Sequence, residues 1–254
     1  MKNIKYKDLK NKYVLITGSN KGIGKEILTK FLKNGSIVIS AVRKKDKKFI
    51  EFIKKKEKKY NKKILVLDFD LEDEKKMILS INKLKKKIGL LDVLVNNAGT
   101  SFGAIFEMTS IENLRNTFSI NFFSQMRIIQ LCLKLLKKSN YPSIINIGSI
   151  SGINAERGFL AYGASKASLM YSSQVMAKEF KNYKIRVNSI APSAVKTEMI
   201  KKMDKIALSE LLKNTKMKAP LHVTTVANKV LYLASKKSSH INGKILRITK
   251  NDQK

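Results

Sequence analysis

Seven short apolar runs recur along the chain, largely continuous rather than alternating with polar residues. Tyr13-Val14-Leu15-Ile16, Ser36 to Ser40, Ile64 to Leu67, Leu91 to Val95 and Ser143 to Ile147 are five of them. Ile185 to Ile190 and Lys244 to Ile248 complete the set. A strand covered on one face alternates apolar with polar; a strand covered on both faces does not. Between the runs lie stretches of helical length and period. Ile23, Ile27, Leu28, Phe31 and Leu32 form one apolar stripe, and Leu114, Phe118, Phe122, Met126, Ile129 and Leu133 form another. Doubly buried strands separated by helices predict an α/β doubly wound sheet, predominantly parallel and of about seven strands. Helices cover both faces through right-handed crossovers. No linker and no fixed-period repeat interrupts residues 1–254, so a single domain is expected.

The charge points elsewhere at first. Lys and Arg total 52 against 19 Asp and Glu, a formal net charge of +33, which raises a polyanionic partner. Yet 43% of the residues are hydrophobic, too many for a disordered basic tail. The lysine runs at 44–45, 54–59, 62–63, 83–87 and 134–138 fall mostly on helical stretches, interrupted by core positions. Aromatic residues do not interleave with them as a base-stacking platform requires. They read as solvated helix faces, and nucleic acid is not expected as a partner. The single Cys132 sits in an apolar helical stretch and reads as a small buried hydrophobe. One Cys and two distant His (His222, His240) make no metal site. No apolar run reaches the ~18 residues that span a bilayer. The basic N-terminus lacks an apolar segment behind it, so a cytoplasmic chain is expected.

Glycines mark the candidate site. Gly18, Gly22 and Gly24 follow the first run; Gly99 and Gly103 follow the fourth; Gly148, Gly152, Gly158 and Gly163 follow the fifth. Ligands of open α/β sheets bind at that strand edge. In Thr17-Gly18-Ser19-Asn20-Lys21-Gly22-Ile23-Gly24, the glycines allow a tight turn and close approach to a pyrophosphate, with a helix N-terminus behind them. A phosphate loop of the Gly-Lys-Ser/Thr kind is excluded, because Glu26 follows Gly24-Lys25. Tyr162 and Lys166 stand one helical turn apart, where an ammonium favours the phenolate and makes the Tyr a usable acid or base. Ser149 lies thirteen residues upstream at a strand end, with Ser151 as the alternative hydroxyl.

These segments together resemble the short-chain dehydrogenase/reductase family over nearly the whole chain. The cofactor loop matches Thr17 to Gly24, and an Asn-Asn-Ala-Gly segment stands at Asn96-Asn97-Ala98-Gly99. The family's Asn, Ser, Tyr and Lys fall on Asn121, Ser149, Tyr162 and Lys166. Its acidic residue after the third strand falls on Asp70, beside Leu71, and its Arg-Val-Asn segment on Arg186-Val187-Asn188, with Pro192, Val195 and Thr197 beyond. The resemblance implies a Rossmann-type fold and interconversion of a carbonyl and a secondary alcohol with a nicotinamide cofactor. It implies that Tyr162 exchanges the proton, Ser149 bonds the reacting oxygen, Lys166 lowers the Tyr162 pKa and holds the ribose, and Asn121 anchors a water relay. Similarity is greatest to 3-oxoacyl-acyl-carrier-protein reductases, with sugar- and alcohol-acting members as the alternative. A catalytically silent dinucleotide sensor or a nucleic-acid binder is the rival class. Homotetramers or homodimers built on the helices near 110–138 and 162–182 are implied too.

No carboxylate ends the second strand, where Arg43 could pair bidentately with a 2′-phosphate, and Lys21 is basic within the loop. NADP(H) is therefore expected over NAD(H). Ser193 stands where relatives usually have Gly after Pro192, and Gly148 replaces a common Ser. The usual Asp-Gly-Gly after the last strand is missing. Substrate specificity is expected from residues 194–224. There Met199, Ile200, Met203, Ile206, Ala207, Leu211 and Leu212 recur at helical spacing, either as a lid over an apolar pocket or as ordinary helix packing.

Overall fold

The computed structural model describes residues 5–201, 209, 212–213 and 219–249. Seven strands form one sheet: β1 (Tyr13–Thr17), β2 (Ile37–Val42), β3 (Leu65–Asp68), β4 (Val93–Asn96), β5 (Ser143–Ile147), β6 (Arg186–Pro192) and β7 (Ile245–Ile248). Their order is β3-β2-β1-β4-β5-β6-β7, and every pairing is parallel. The fold is the expected doubly wound α/β domain, with the sheet parallel throughout. The chain reverses direction across the sheet between β1 and β4, where Val14 pairs with Val93 and Ile16 with Val95.

The continuous apolar runs reflect two cores, one per face. Val14, Ile16, Val93, Val95 and Ile145 point into one; Leu15, Leu94 and Ile144 point into the other. The first face is covered by α1 (Gly22–Lys33) and α2 (Lys47–Tyr60), which bury Ile27, Leu28, Phe31, Phe49 and Ile53. The last helix, Val223–Ala234 (α8), buries Val226, Val230 and Leu231 there as well. The second face carries α3 (Glu74–Lys87), α5 (Ser124–Leu136) and α6 (Leu160–Glu179). Cys132 is fully buried there, and burial pushes its thiol up to about 12, as an inert hydrophobe should behave.

Two polar residues inside these cores hold the scaffold. Asp92 accepts from the Tyr13 amide (2.9 Å), the Ser139 hydroxyl (2.6 Å) and Lys12 Nζ (3.0 Å), fixing β1 to β4 at the edge away from the glycines. The buried Arg186 guanidinium donates to the carbonyls of Leu233 (2.7 Å) and Ser238 (3.0 Å), tying β6 to the end of α8. Arg186 therefore acts in architecture, which its place in a family segment did not reveal. Among the described residues no helix is long and apolar enough to cross a membrane.

Candidate active site

The glycine turn after β1 is held from across the sheet. Thr17 Oγ1 accepts from the backbone amides of Asn97 (3.0 Å) and Ala98 (2.9 Å). Asn97 Nδ2 returns two bonds, to the carbonyls of Thr17 (2.9 Å) and Gly18 (3.2 Å). Gly18 and Gly22 adopt φ of 65° and 52°, the left-handed region that glycine enters without strain. At Gly24 the requirement is space. A Cβ there would overlap the Gly18 carbonyl and crowd Asn97 Nδ2. Helix α1 then starts with no side-chain cap, whereas Asp46 caps α2 and Asp73 caps α3. Its first amides are left for a ligand, and a pyrophosphate fits this cradle of glycines and free N–H groups.

Eight of the eighteen cofactor positions read from the sequence gather here. Ile23, Asn97, Gly99, Pro192, Val195 and Thr197 line one cleft above the sheet edge, with Ser149, Tyr162 and Lys166 on its wall. The Thr197 methyl packs toward Gly22, so the segment after β6 meets the turn after β1. Ser19 departs from expectation. It is fully buried, and its hydroxyl is paired with that of Ser40 at 2.6 Å, so it braces the turn from beneath instead of facing the cleft. Asn97 likewise spends its amide nitrogen on the turn. Arg43, 80% exposed, follows β2 with Nε 4.0 Å from Asp70 Oδ2, and Lys21 is exposed at the mouth of the turn beside Asn20. The Leu71 carbonyl accepts from Ser124 Oγ (2.6 Å). Thr17 was legible only as a motif letter; its double acceptor role emerges from the fold.

The acid–base wall comes from three elements. Tyr162 and Lys166 share a face of α6 as their spacing predicts, with Lys166 Nζ 5.9 Å from the phenol ring centroid. Lys166 is 4% exposed and donates to the Ile147 carbonyl at the end of β5 (2.8 Å). Burial pulls its ammonium down to about 8. Burial pushes the Tyr162 phenol up; a hydrogen bond with Ser149 works against that rise, and the charge of Glu156 adds to it. Ser151 Oγ is engaged elsewhere, donating to Glu156 Oε2 (2.7 Å), whose carboxyl burial pushes up. Between the two serines, the hydroxyl that meets the phenol is thus that of Ser149, which also accepts from the Ser151 amide (3.2 Å).

Asn121 sits at a wide turn. Helix α4 (Ile111–Phe118) passes into a π-helical turn, Ser119–Phe123, before α5 resumes. Its Oδ1 accepts from the Thr100 amide (2.8 Å); its Nδ2 donates to the Thr100 carbonyl (2.9 Å) and to Ser165 Oγ (3.0 Å). Gly99 lies between it and Lys166: a Cβ there would come 2.9 Å from Asn121 Oδ1 and 3.2 Å from Lys166 Nζ. Gly148 is just as confined, since Met170 Sδ would stand 2.6 Å from a Cβ. Met170 fills the space that a serine would need.

The segment 194–224 is tied at both ends. Leu221 N donates to the Ala194 carbonyl (2.7 Å) and Lys196 N to the Leu221 carbonyl (2.8 Å), a short parallel bridge at Val195 and Leu221. A short helix α7 (Glu198–Lys201) follows, and Ile200 lines the cleft against Ile150, Ala194 and Leu212. Met203, Ile206, Ala207 and Leu211 lie outside the described residues.

A glycine cradle at a helix start, beside a phenol, a hydroxyl and a buried ammonium, defines a class, the oxidoreductases of the parallel α/β kind. A family model described as short chain dehydrogenase matches residues 12–207, and the chain belongs to that family. It is 28% identical over 240 residues to a 3-oxoacyl-[acyl-carrier-protein] reductase, FabG, of Buchnera aphidicola, covering 94% of this chain and 96% of that one. It is also 28% identical over 240 residues to a 3alpha-hydroxysteroid dehydrogenase of Mediterraneibacter gnavus, with the same shares covered. Among solved structures, the Pseudomonas aeruginosa RhlG/NADP active-site complex superposes with a TM-score of 0.87 at 29% identity, covering 99% of this chain and 100% of that one.

Proposed function

We propose that the protein is an NADPH-dependent reductase that converts the ketone of a 3-oxoacyl or related substrate into a secondary alcohol. The observation that carries this reading is the convergence of Tyr162, Ser149 and the buried Lys166 beside the glycine cradle. When bound, the dinucleotide supplies the hydride. Tyr162 donates the proton to the carbonyl oxygen, and Ser149 hydrogen-bonds that oxygen as negative charge develops on it. Lys166 sets a positive charge behind the phenol, and Asn121 fixes the Thr100 backbone beneath both. The similarity to a 3-oxoacyl-[acyl-carrier-protein] reductase supports 3-oxoacyl thioesters, and the basic surface suits an acidic carrier protein. Arg43 and Lys21 favour the 2′-phosphate form of the cofactor.

The test is cofactor oxidation with 3-oxoacyl thioesters, cyclic ketones and sugars, using NADPH and NADH in parallel. Turnover of a 3-oxoacyl thioester with NADPH is expected. Arg43→Ala should raise the KM for NADPH about tenfold and leave that for NADH unchanged, since only a charge-assisted bond to the 2′-phosphate is lost. Equal effects on both cofactors would remove Arg43 from the site. No turnover of any carbonyl, with tight salt-sensitive DNA binding, would favour the nucleic-acid reading.

A homo-oligomer is part of the same proposal. Phe106 (79% exposed), Ile111, Phe123, Leu160 and Tyr171 expose large apolar side chains on α4 to α6 and the loop before them. A second copy of the chain would bury them. Light scattering should give a dimer or tetramer that Phe123→Lys with Tyr171→Lys converts to smaller species.

A further inference from the structure

Ser193 directly follows β6 and lines the cleft between the two halves of the site. On one side, β6 runs beside β5: Ile147 pairs with Ile190, and the Gly148 amide donates to the Ile190 carbonyl (2.8 Å). That places Pro192 and Ser193 next to the strand end that carries Ser149 and holds Lys166. On the other side, Thr197 packs against Gly22 in the phosphate cradle. Ser193 therefore stands where the hydride-carrying end of a dinucleotide must lie if its pyrophosphate occupies the glycine turn.

The residue is 6% exposed and lines the cleft. Its backbone amide is satisfied by the Ile248 carbonyl (3.2 Å). Its hydroxyl is buried and has no hydrogen-bond partner among the described residues. A buried hydroxyl without a partner is unfavourable. Rotation about a single bond moves a serine Oγ between three staggered positions, and it can then donate or accept. A glycine here would leave no such group. On the nicotinamide ring itself, the carboxamide is the group that offers both a donor and an acceptor.

We infer that the Ser193 hydroxyl hydrogen-bonds the carboxamide of the bound nicotinamide and fixes the rotation of that ring against Ser149 and Tyr162. This rests on the dinucleotide reading above. It is tested by calorimetric titration of wild type and Ser193→Ala with NADP+ and with 2′-phospho-ADP-ribose, the same molecule without its nicotinamide. Ser193→Ala should weaken NADP+ about threefold to tenfold, the size of one hydrogen bond. It should leave 2′-phospho-ADP-ribose within about twofold, which also shows that the variant is folded. Equal losses for both ligands, or no loss for either, would overturn the inference while the dinucleotide reading stands. Failure of the wild type to bind NADP+ would overturn both.

Discussion

Lys166→Met is expected to remove turnover and to raise the melting temperature at neutral pH. The loss of turnover should be on the order of 10²–10⁴-fold, the usual worth of positioned acid–base equipment, and Tyr162→Phe should match it. The stability gain follows from burial. The Lys166 ammonium is lowered from 10.5 to about 8 by burial, its one described hydrogen-bond partner being the Ile147 carbonyl. At pH 7 folded and unfolded chains both carry the proton, and the folded chain bears the cost of hiding it. Between pH 8 and 10.5 the folded chain has released the proton and the unfolded chain still binds it, so stability rises with pH across that window. At 1.36 kcal/mol per pH unit the cost at pH 7 is about 3 kcal/mol. Leaving the Ile147 carbonyl unpaired takes back about 1 kcal/mol. Met should therefore gain about 2 kcal/mol, or roughly 4–8 °C, with the gap to wild type closing as the pH climbs toward 10.5. Melting curves of both proteins from pH 7 to 10 decide it. A Met variant that melts below wild type at pH 7 would show that Lys166 holds its site together instead of straining it.

Gly24→Ala should be the most damaging single methyl group in the molecule. The atoms it meets are the backbone of Gly18 and the amide of Asn97, neither the loose end of a long side chain. Overpacking of this kind costs about 1–3 kcal/mol. Function should suffer more, because the displaced atoms form the turn proposed to receive the pyrophosphate. A misplacement near 1 Å is worth about 10²-fold in a positioned site, so affinity for NADP+ should fall by that order. Gly89→Ala is the control: nothing lies within 4 Å of the added methyl, and both stability and binding should stay at wild-type values. Differential scanning calorimetry and NADP+ titration of the pair measure the contrast. Comparable behaviour of the two variants would mean that the turn relaxes freely.

Periodicity made the sheet legible, because strands such as Val14-Leu15-Ile16 feed one apolar core with even residues and another with the odd one. Spacing made the Tyr162–Lys166 pair legible, because helical geometry is local. What stayed hidden was every contact made by backbone or across distance. The π-helical turn at Asn121 leaves no mark, since the apolar stripe from Leu114 to Leu133 runs through it. Ser149 and Ser151 differ in role only because Glu156, on a later loop, takes the second hydroxyl. Ser19 sits inside a phosphate-binding motif yet faces Ser40, a partner 21 residues away that no local pattern announces. The charge misled for the opposite reason. Lysines are so common that only the spacing to Tyr162 marked Lys166 in the sequence, while its burial is a property of the fold.

The bridge between Val195 and Leu221 carries a consequence for descent as well as for chemistry. A stretch that leaves and rejoins the scaffold at one point can lengthen, shorten or change its side chains at little thermodynamic cost to the sheet below. Ser149, Tyr162, Lys166 and the glycine turn lie outside that stretch, whereas Thr197 lies within it, against Gly22. On the proposed function, such a lineage changes substrate through the residues between Val195 and Leu221, while Tyr162 and the glycine turn are inherited unchanged.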